Sequence, residues 1–471
     1  MNCENSFNRE IQPTIFSGHK VPNKFSQVVL FLLERKMGAS RRFFLSQLGR
    51  NKGFQVADVF SESVTHVISE NNCGTEVRTW LESQGRGQSL RVHLLDVSWY
   101  TESMRAGHPE QQISEAEVAL FSVSSYACQR RTTLDNHNSN LTDALSLLAE
   151  NAELNNEDGR GVAFRRAAAL MKALPTQVIS MSQLRGLPCL GEHSLRVIKD
   201  VLENGVSSEV ESTKQSKRYK ALKILTGIFG VGAKTADRWI REGIYNLEQL
   251  RHSGQTLNRA QKSGLEHYDD LNEPVTKAEA DAIGEIVQKA VDSVLTGSQV
   301  ALTGGFRRGK LTGHDVDFLI THPEEGKEVG LMPKVVAWLE SQKTTRNSYL
   351  ESKDGPARPA SNMDRFERCF SIFKLTKGKE QETASHKIWR AVRVDLVVSP
   401  ISQFAFAVLG WTGSKLFERE LRRWAGHEKN MSLSSHALFD NTQNKYLRAT
   451  SEEEIFAYLG LEYIPPSERN A

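Results

Sequence analysis

The residues with the clearest capacity for chemistry lie in one run, Thr303-Gly-Gly-Phe-Arg-Arg-Gly-Lys-Leu-Thr-Gly-His-Asp-Val-Asp-Phe-Leu-Ile320. Gln299 to Thr303 alternates like a strand, and Gly304-Gly305 then lets the backbone approach a ligand because no Cβ intervenes. Arg307, Arg308 and Lys310 follow at once, so cations and backbone N–H groups converge where an anion would sit. In Asp315-Val-Asp317-Phe-Leu-Ile, strand alternation puts both acids on one face and turns Val316, Phe318 and Ile320 toward a core. Close carboxylates repel unless a cation lies between them, and a hard divalent ion that bridges to phosphate oxygens suits such a pair. A lone Asp-x-Asp is usually a solvated strand edge and a lone Gly-Gly a turn; their combination with the arginines between them is much rarer.

A second apolar strand pattern, Ala391-Val-Arg-Val-Asp395-Leu-Val-Val398, contains one more acid. A buried-strand Asp needs an ion pair or a metal. Alone, Asp395 reads as the end of a salt bridge with a neighbouring Arg; beside Asp315 and Asp317 it reads as a third metal ligand.

The elements that must position these groups fill a chain of 471 residues, enough for about two to four domains. Its 39% hydrophobic and 25% charged content is ordinary for a globular protein. No apolar run has membrane-spanning length, and Met1 to Gln27 is too polar for a signal peptide. Cys3, Cys73, Cys128, Cys189 and Cys369 lie far apart without a CxxC pair, which argues against a disulfide framework or zinc knuckle and fits a reducing compartment. Net charge is only +3, so a nucleic-acid surface must come from local patches, and no basic import run is present.

Residues 1–23 read as a flexible tail. From 24 to 107, Val28–Leu33 suits a buried strand and Arg42–Lys52 a helix with Phe43, Phe44 and Leu48 turned inward. Two further strands, Gly53–Val56 and Thr65–Ile68, and a helix opening at Asp96-Val-Ser-Trp99 complete a module that resembles a BRCT domain. Residues 108–138 read as a polar linker. Leu141, Ala144, Leu145 and Leu148 at helical spacing open a helical region with two similar turns, Gly186-Leu-Pro-Cys-Leu-Gly191 and Gly227-Ile-Phe-Gly-Val-Gly232. One such turn could be a helix C-cap; two in the same frame resemble helix-hairpin-helix motifs, which grip a DNA phosphate through backbone N–H groups without reading sequence. A helix over 278–295 then leads into the acidic strand, 349–365 reads as an irregular loop, and Gly410-Trp-Thr-Gly-Ser-Lys415 offers a flat wall for a sugar or base, although Trp411 could equally be core. The arginines of the helix that follows, Arg419, Arg422 and Arg423, read by themselves as a solvated face.

Taken together, the Gly-Gly-Phe-Arg-Arg-Gly-Lys and Gly-His-Asp-Val-Asp motifs, Arg-Val-Asp-Leu and Gly-Trp-Thr-Gly-Ser resemble those of family X DNA polymerases over nearly the whole chain. The resemblance implies a multidomain α+β protein: the BRCT-like α/β module; a helical 5′-phosphate-binding domain, 139–225, with the first hairpin; a DNA-binding helical subdomain, 226–275, with the second; a mixed-sheet nucleotidyltransferase palm, 276–400; and a small α/β nucleotide-binding C-terminal subdomain, 401–471.

By the same resemblance, Asp315, Asp317 and Asp395 hold two magnesium ions, with manganese as a substitute. Gly304, Gly305, Arg308 and Lys310 hold the triphosphate, and His314 steadies the nucleotide and primer end. Gly410 and Trp411 lie under the sugar, with Gly413, Lys415 and Ser434 also at the nucleotide. Arg160, His193 and Lys234 take a 5′-phosphate, Gly230, Gly232, Arg308, His314 and Arg422 touch DNA, and the carbonyls of Thr226, Ile228 and Val231 bind sodium or potassium.

Where relatives carry a bulkier residue than Gly410 they reject ribonucleotides, so tolerance is expected here. Val197 stands where lyase-active members have a lysine, so no lyase activity is expected. Ser434 replaces a usual asparagine, which bears on fidelity, and the 349–365 loop looks shorter than in near relatives, which bears on template-free addition. The expected role is nuclear gap filling and non-homologous end joining by a monomer that takes gapped or broken duplex DNA and deoxynucleoside triphosphates, recruited by end-joining proteins through the BRCT-like module. Template-independent terminal transfer, a non-catalytic end-binding scaffold and nucleotidyl transfer to RNA or small molecules are the alternatives.

Overall fold

A computed structural model describes residues 25, 27–34, 37–70, 77, 80, 92–109, 123–342, 345–351, 366–376 and 389–471. The expected tail 1–23, residues 110–122 of the expected linker, and 352–365 of the expected loop lie outside the described residues. The chain divides into two units, Met1–Val123 and Ser124–Ala471. None of the described helices is long and apolar enough to cross a membrane.

In the first unit the strands β1 (Val29–Leu32), β2 (Gln55–Ala57), β3 (His66–Ser69) and β4 (His93–Asp96) form a parallel sheet in the order β2-β1-β3-β4. Helices α1 (Ala39–Asn51) and α2 (Val97–Ala106) accompany it. All of β1 is buried, Leu30 and Leu32 among Phe54, Trp99 and Tyr100, and Val29 and Phe31 beside Val67. Burial on both faces is why this strand reads as an unbroken apolar run. The short strand β4 was not anticipated from the sequence.

The expected inward face of α1 needs correction. Phe43 and Phe44 are 67% and 63% exposed, and the buried stripe runs through Leu45, Ser46 and Gly49. The reason is Tyr100, whose hydroxyl donates to the Leu45 carbonyl at 3.1 Å and lies where a side chain at position 49 would stand. The missing Cβ of Gly49, not the bulk of the phenylalanines, decides which way the helix faces.

The second unit begins inside the stretch expected to be a linker. Tyr126 and Cys128 are buried in the core of the C-terminal subdomain, and Thr132 bridges to Arg469. A polar composition hid this because polar residues, Arg130, Thr132 and Asn138, are buried here beside the apolar ones. Helices α3 (Ser139–Leu154), α4 (Asp158–Ala173), α5 (Glu192–Asn204) and α6 (Ser208–Gln215) build the first hairpin region. Helices α7 (Lys217–Thr226), α8 (Ala233–Arg241), α9 (Leu247–His252), α10 (Arg259–Glu266) and α11 (Tyr268–Asn272) build the second. Trp239, 1% exposed, centres this second core. Helix α10 presses onto the turn so closely that a Cβ on Gly264 would meet the Phe229 backbone at 2.6 Å.

The sheet that carries the acids follows β5 (Val275–Thr276) and α12 (Lys277–Val294), the latter started by a Thr276/Glu279 capping box. Its strands are β6 (Gln299–Leu302), β8 (Val316–Thr321), β9 (Thr345–Glu351), β10 (Glu367–Thr376) and β11 (Trp389–Val398), ordered β6-β8-β11-β10-β9. Between β6 and β8 come the four-residue helix α13 (Gly304–Arg307) and β7 (Thr312–Gly313); the Gly-Gly segment expected as a turn opens that helix. Strands β8 and β11 run parallel and their other pairings are antiparallel. One face packs Val316, Phe318, Ile320, Val394 and Leu396 against Ile283 and Val287 of α12 and Val335 and Leu339 of α14 (Leu331–Ser341). On the other face, Leu319 and Val397 meet Ala407 and Val408 of α15 (Phe404–Thr412). Then come α16 (Lys415–Lys429), the small sheet β12 (Met431–Leu433), β13 (Leu438–Asp440) and β14 (Lys445–Leu447), and α17 (Glu452–Tyr458).

The first unit offers a direct check. Phe43→Ser leaves thermal stability within about 0.5 kcal/mol, whereas Phe54→Ala lowers it by about 3–5 kcal/mol. A chemical-denaturation curve in which both variants lost equal stability would return Phe43 to the core.

Candidate active site

The parallel register of β8 and β11 sets Asp317 beside Asp395, and Asp315 stands one residue before β8 on the same face. One carboxylate oxygen from each of the three lies within 4.8 Å of the others. Asp395 is 2% exposed while Asp315 and Asp317 are half-buried. Burial, then the charges of Asp315 and Asp395, raise the Asp317 pKa well above the usual carboxylate range. Burial pushes Asp395 up to about 6 against the opposing pull of Arg393. An all-oxygen donor set, partly open to solvent and short of positive charge, fits a hard divalent cation.

Both readings of Asp395 meet here, because Arg393 answers part of the negative charge. It donates Nη2–H to Asp395 Oδ2 at 2.5 Å and Nε–H to Oδ1 at 3.1 Å, with Nη1 3.4 Å from Asp315 Oδ2. Its guanidinium also lies 5.8 Å from the ring of Phe229, in the second hairpin, and 6.0 Å from Phe370. Its place two residues before Asp395 puts it on the same strand face, which makes it the neighbouring arginine that the sequence suggested.

Gly304 brings α13 against this centre. Its φ is +61°, and a Cβ there would stand 2.4 Å from Asp317 Oδ2, so only glycine allows the approach. The two arginines that follow part company. Arg307 donates to Thr412 Oγ1 at 2.7 Å and pairs with Glu452 Oε2 at 2.7 Å, and Glu452 in turn holds the fully buried Arg469 at 2.6 Å. Arg308 stays within electrostatic reach of Asp317 and donates to the Thr412 carbonyl. Lys310 lies along Gly305, while His314 is exposed.

On the far side, Gly410 and Trp411 end α15, and Gly413 follows at φ +70°, where a Cβ would press on Arg308 Nη1 at 3.1 Å. Trp411 is half-buried and packs partly on the apolar cluster of Leu319 and Val397, so its core role is real. Lys415 is exposed at the start of α16. Arg422 donates to Ser435 Oγ at 3.2 Å, and a Cβ on Gly410 would meet that same oxygen at 2.6 Å. Ser435 thus borders the Gly410 surface, a neighbour sequence reading missed. Ser434 spends its hydroxyl on its own turn, accepting from the backbone N–H groups of His436 and Ala437 at 3.2 and 3.3 Å.

The two hairpins repeat the same turn. Gly191 and Gly232 are the extended N-caps of α5 and α8, and Cys189 (φ 65°) occupies the left-handed position that Gly230 (φ 81°) occupies in the second. Beside the first, Arg160 Nη2, His193 Nε2 and Arg196 Nη2 converge on the carboxylate of Glu209 at 2.8, 2.7 and 3.4 Å. Burial works to raise the Glu209 pKa, but its cationic partners outweigh that and hold it low. The grouping expected from sequence changes here. Lys234 lies exposed at the start of α8 in the other hairpin and makes none of these contacts among the described residues, because the intervening α6 and α7 separate the two turns along the chain. Arg196 and Glu209 take the places beside Arg160 and His193. The Ile228 carbonyl accepts from the Val231 N–H at 3.0 Å within the second turn, next to Thr226 at the end of α7.

The acid centre has a measurable signature. Asp395 holds its proton more firmly folded than unfolded, so this contribution to stability is complete below 3.8 and is lost as the pH rises through about 6. Without divalent cations, melting midpoints from about pH 4 to about pH 7 carry that loss, and Asp395→Asn flattens it. An unchanged slope in the variant would remove Asp395 as its source.

Comparison with known proteins covers these segments one after another. Residues 136–207 match a helix-hairpin-helix domain, 223–272 the fingers domain of DNA polymerase lambda, 275–400 the DNA polymerase beta palm and 407–470 the DNA polymerase beta thumb. Human DNA-directed DNA/RNA polymerase mu is 48% identical across 95% of this chain and 95% of its own. DNA nucleotidylexotransferase from Ambystoma mexicanum is 43% identical and that from Bos taurus 44%, each over 95% of this chain and 94% of theirs. Likeness at that level over nearly the whole chain, together with the successive helix-hairpin-helix, fingers, palm and thumb matches, makes this chain a member of the family X DNA polymerases.

Proposed function

We propose that the chain is a template-directed DNA polymerase that fills short gaps and closes double-strand breaks by non-homologous end joining in the nucleus. The single observation that carries this reading is the meeting of Asp315, Asp317 and Asp395 within 4.8 Å beside the Gly304–Arg308 segment. Asp315, Asp317 and Asp395 would hold two magnesium ions, with manganese as a substitute, and metal bound there would supply activation of the primer 3′-hydroxyl and stabilisation of negative charge on the transferring phosphate.

The chain's own groups do the rest. Arg308 and Lys310 take the triphosphate, with Gly304 and Gly305 leaving room for it, and exposed His314 steadies the nucleotide and primer end. Gly410, Trp411, Gly413 and Lys415 form the sugar side, with Ser434 near the base. The absence of a Cβ at Gly410 supports acceptance of ribonucleotides as well as deoxynucleotides. Arg160 and His193 receive the 5′-phosphate across a gap, aided by Arg196, while Gly230, Gly232 and Lys234 grip a second DNA phosphate and Arg422 a third. The carbonyls of Thr226, Ile228 and Val231 take sodium or potassium at the second hairpin. Val197, buried and without an amine, supports the lack of lyase activity.

In the first unit, a four-stranded parallel sheet with Phe43 and Phe44 exposed supports a BRCT-like module that docks end-joining proteins.

Asp315→Ala lowers primer extension by about a thousandfold or more while leaving gapped-DNA binding intact; that loss disposes of a non-catalytic end-binding scaffold, whereas activity retained in the variant would remove Asp315 from the catalytic centre. Extension requires a template strand, and equal extension without one would transfer the chain to terminal transferase activity. Arg160→Ala weakens binding to 5′-phosphorylated gaps more than to unphosphorylated gaps and lowers the salt slope by about one. Identical losses on both substrates would reject the 5′-phosphate site.

A further inference from the structure

Arg308 is bound into the fold by a residue that neither the acid motif nor the hairpins contain. Asn470 is 3% exposed, and its side chain closes a ring around the arginine. Its Oδ1 accepts from Arg308 Nε at 3.2 Å, and its Nδ2 donates back to the Arg308 carbonyl at 3.3 Å and to the Ser467 carbonyl at 2.8 Å. The Asn470 backbone N–H donates to the Thr132 carbonyl at 3.0 Å, and its own carbonyl accepts from Lys172 Nζ of α4 at 2.8 Å. With Nη1 on the Thr412 carbonyl, the guanidinium is held along two edges. Among the described residues Nη2 has no hydrogen-bond partner.

We propose that Asn470 is a positioning residue for nucleotide binding, which fixes Arg308 in the one orientation that presents its remaining N–H groups to the triphosphate. The inference rests on the reading of Arg308 as a triphosphate ligand. An unrestrained arginine loses rotamer freedom each time it engages an anion, whereas a side chain already held by two hydrogen bonds has less to lose. An amide suits the task because it offers an acceptor to Nε and a donor to the carbonyl of the same residue. Lys172 and Thr132 hold Asn470 in turn, so the brace reaches back to the helical region and to the segment before α3. Lys172 is itself made less basic by burial and then by the charges of Lys310 and Arg308, which marks the three cations as one electrostatic group.

The test is a double-mutant cycle on the full chain with a gapped primer–template and one complementary deoxynucleoside triphosphate. Asn470→Ala raises KM for the nucleotide about tenfold, leaves kcat within about threefold and leaves Kd for gapped DNA unchanged. Arg308→Ala raises KM further, and adding Asn470→Ala to it changes KM by less than about twofold, because the brace has nothing left to hold. If Arg308→Ala leaves KM unchanged, the triphosphate role of Arg308 is lost, and the inference with it. If Arg308→Ala raises KM but Asn470→Ala does not, or if the two factors multiply in the double variant, the triphosphate reading stands and the positioning role is overturned. Gapped-DNA affinity serves as the folding control, and if Asn470→Ala fails it the cycle is run with Asn470→Ser, to which the same outcomes apply.

Discussion

Mutual repulsion among three carboxylates on one sheet face is the constraint around which the larger unit is arranged. Asp317 and Asp395 are neighbours because β8 and β11 pair in parallel, and the opposite face of both strands is sealed by α12 and α14. That seal leaves the acids one open direction. The Arg393 guanidinium meets part of that charge, and burial with the neighbouring acids raises the Asp317 pKa. Three acids gathered this way cost the fold stability and suit a hard cation, the usual trade between stability and activity at a reactive site.

The acid trio was legible because its signals are local or periodic. Alternation put Asp315 and Asp317 on one strand face, an acid inside an apolar run singled out Asp395, and two adjacent glycines announced a close approach. The second strand was read to within two residues of its observed start at Trp389. What escaped were partnerships between residues distant in sequence. Nothing near Asn470 announces Arg308, and nothing near Gly49 announces Tyr100, yet that tyrosine turned α1 away from the orientation its phenylalanines suggested. The segment from Ser124 was misjudged for the same reason, since Tyr126 and Cys128 find their core on α16 and α17 and not among their neighbours. Glu209 was passed over because one acid on a polar helix has no pattern until Arg160, His193 and Arg196 are seen around it.

The duplicated hairpin shows one backbone solution carried by different side chains. Gly230 adopts the left-handed conformation without steric cost, while Cys189 holds it at about 1–2 kcal/mol. The thiol lies 3.2 Å from the Ser125 carbonyl, a contact the second turn has no atom to make. The first turn is therefore anchored to the segment before α3, and the second is anchored from below by Gly264 against Phe229. Phe229 also faces Arg393, so the second turn is mechanically continuous with the acid sheet.

The pairing of Thr132 with Arg469 and of Arg131 with Glu468 spans 337 residues in the latter case. A ribosome adding about 5–20 residues per second takes on the order of 20 to 70 s to bridge that interval. Throughout it, Tyr126 and Cys128 have been synthesised and their core has not. The nascent chain therefore carries an uncovered apolar patch ahead of its helical region for most of translation, the kind of surface that invites aggregation before the C-terminal core is made.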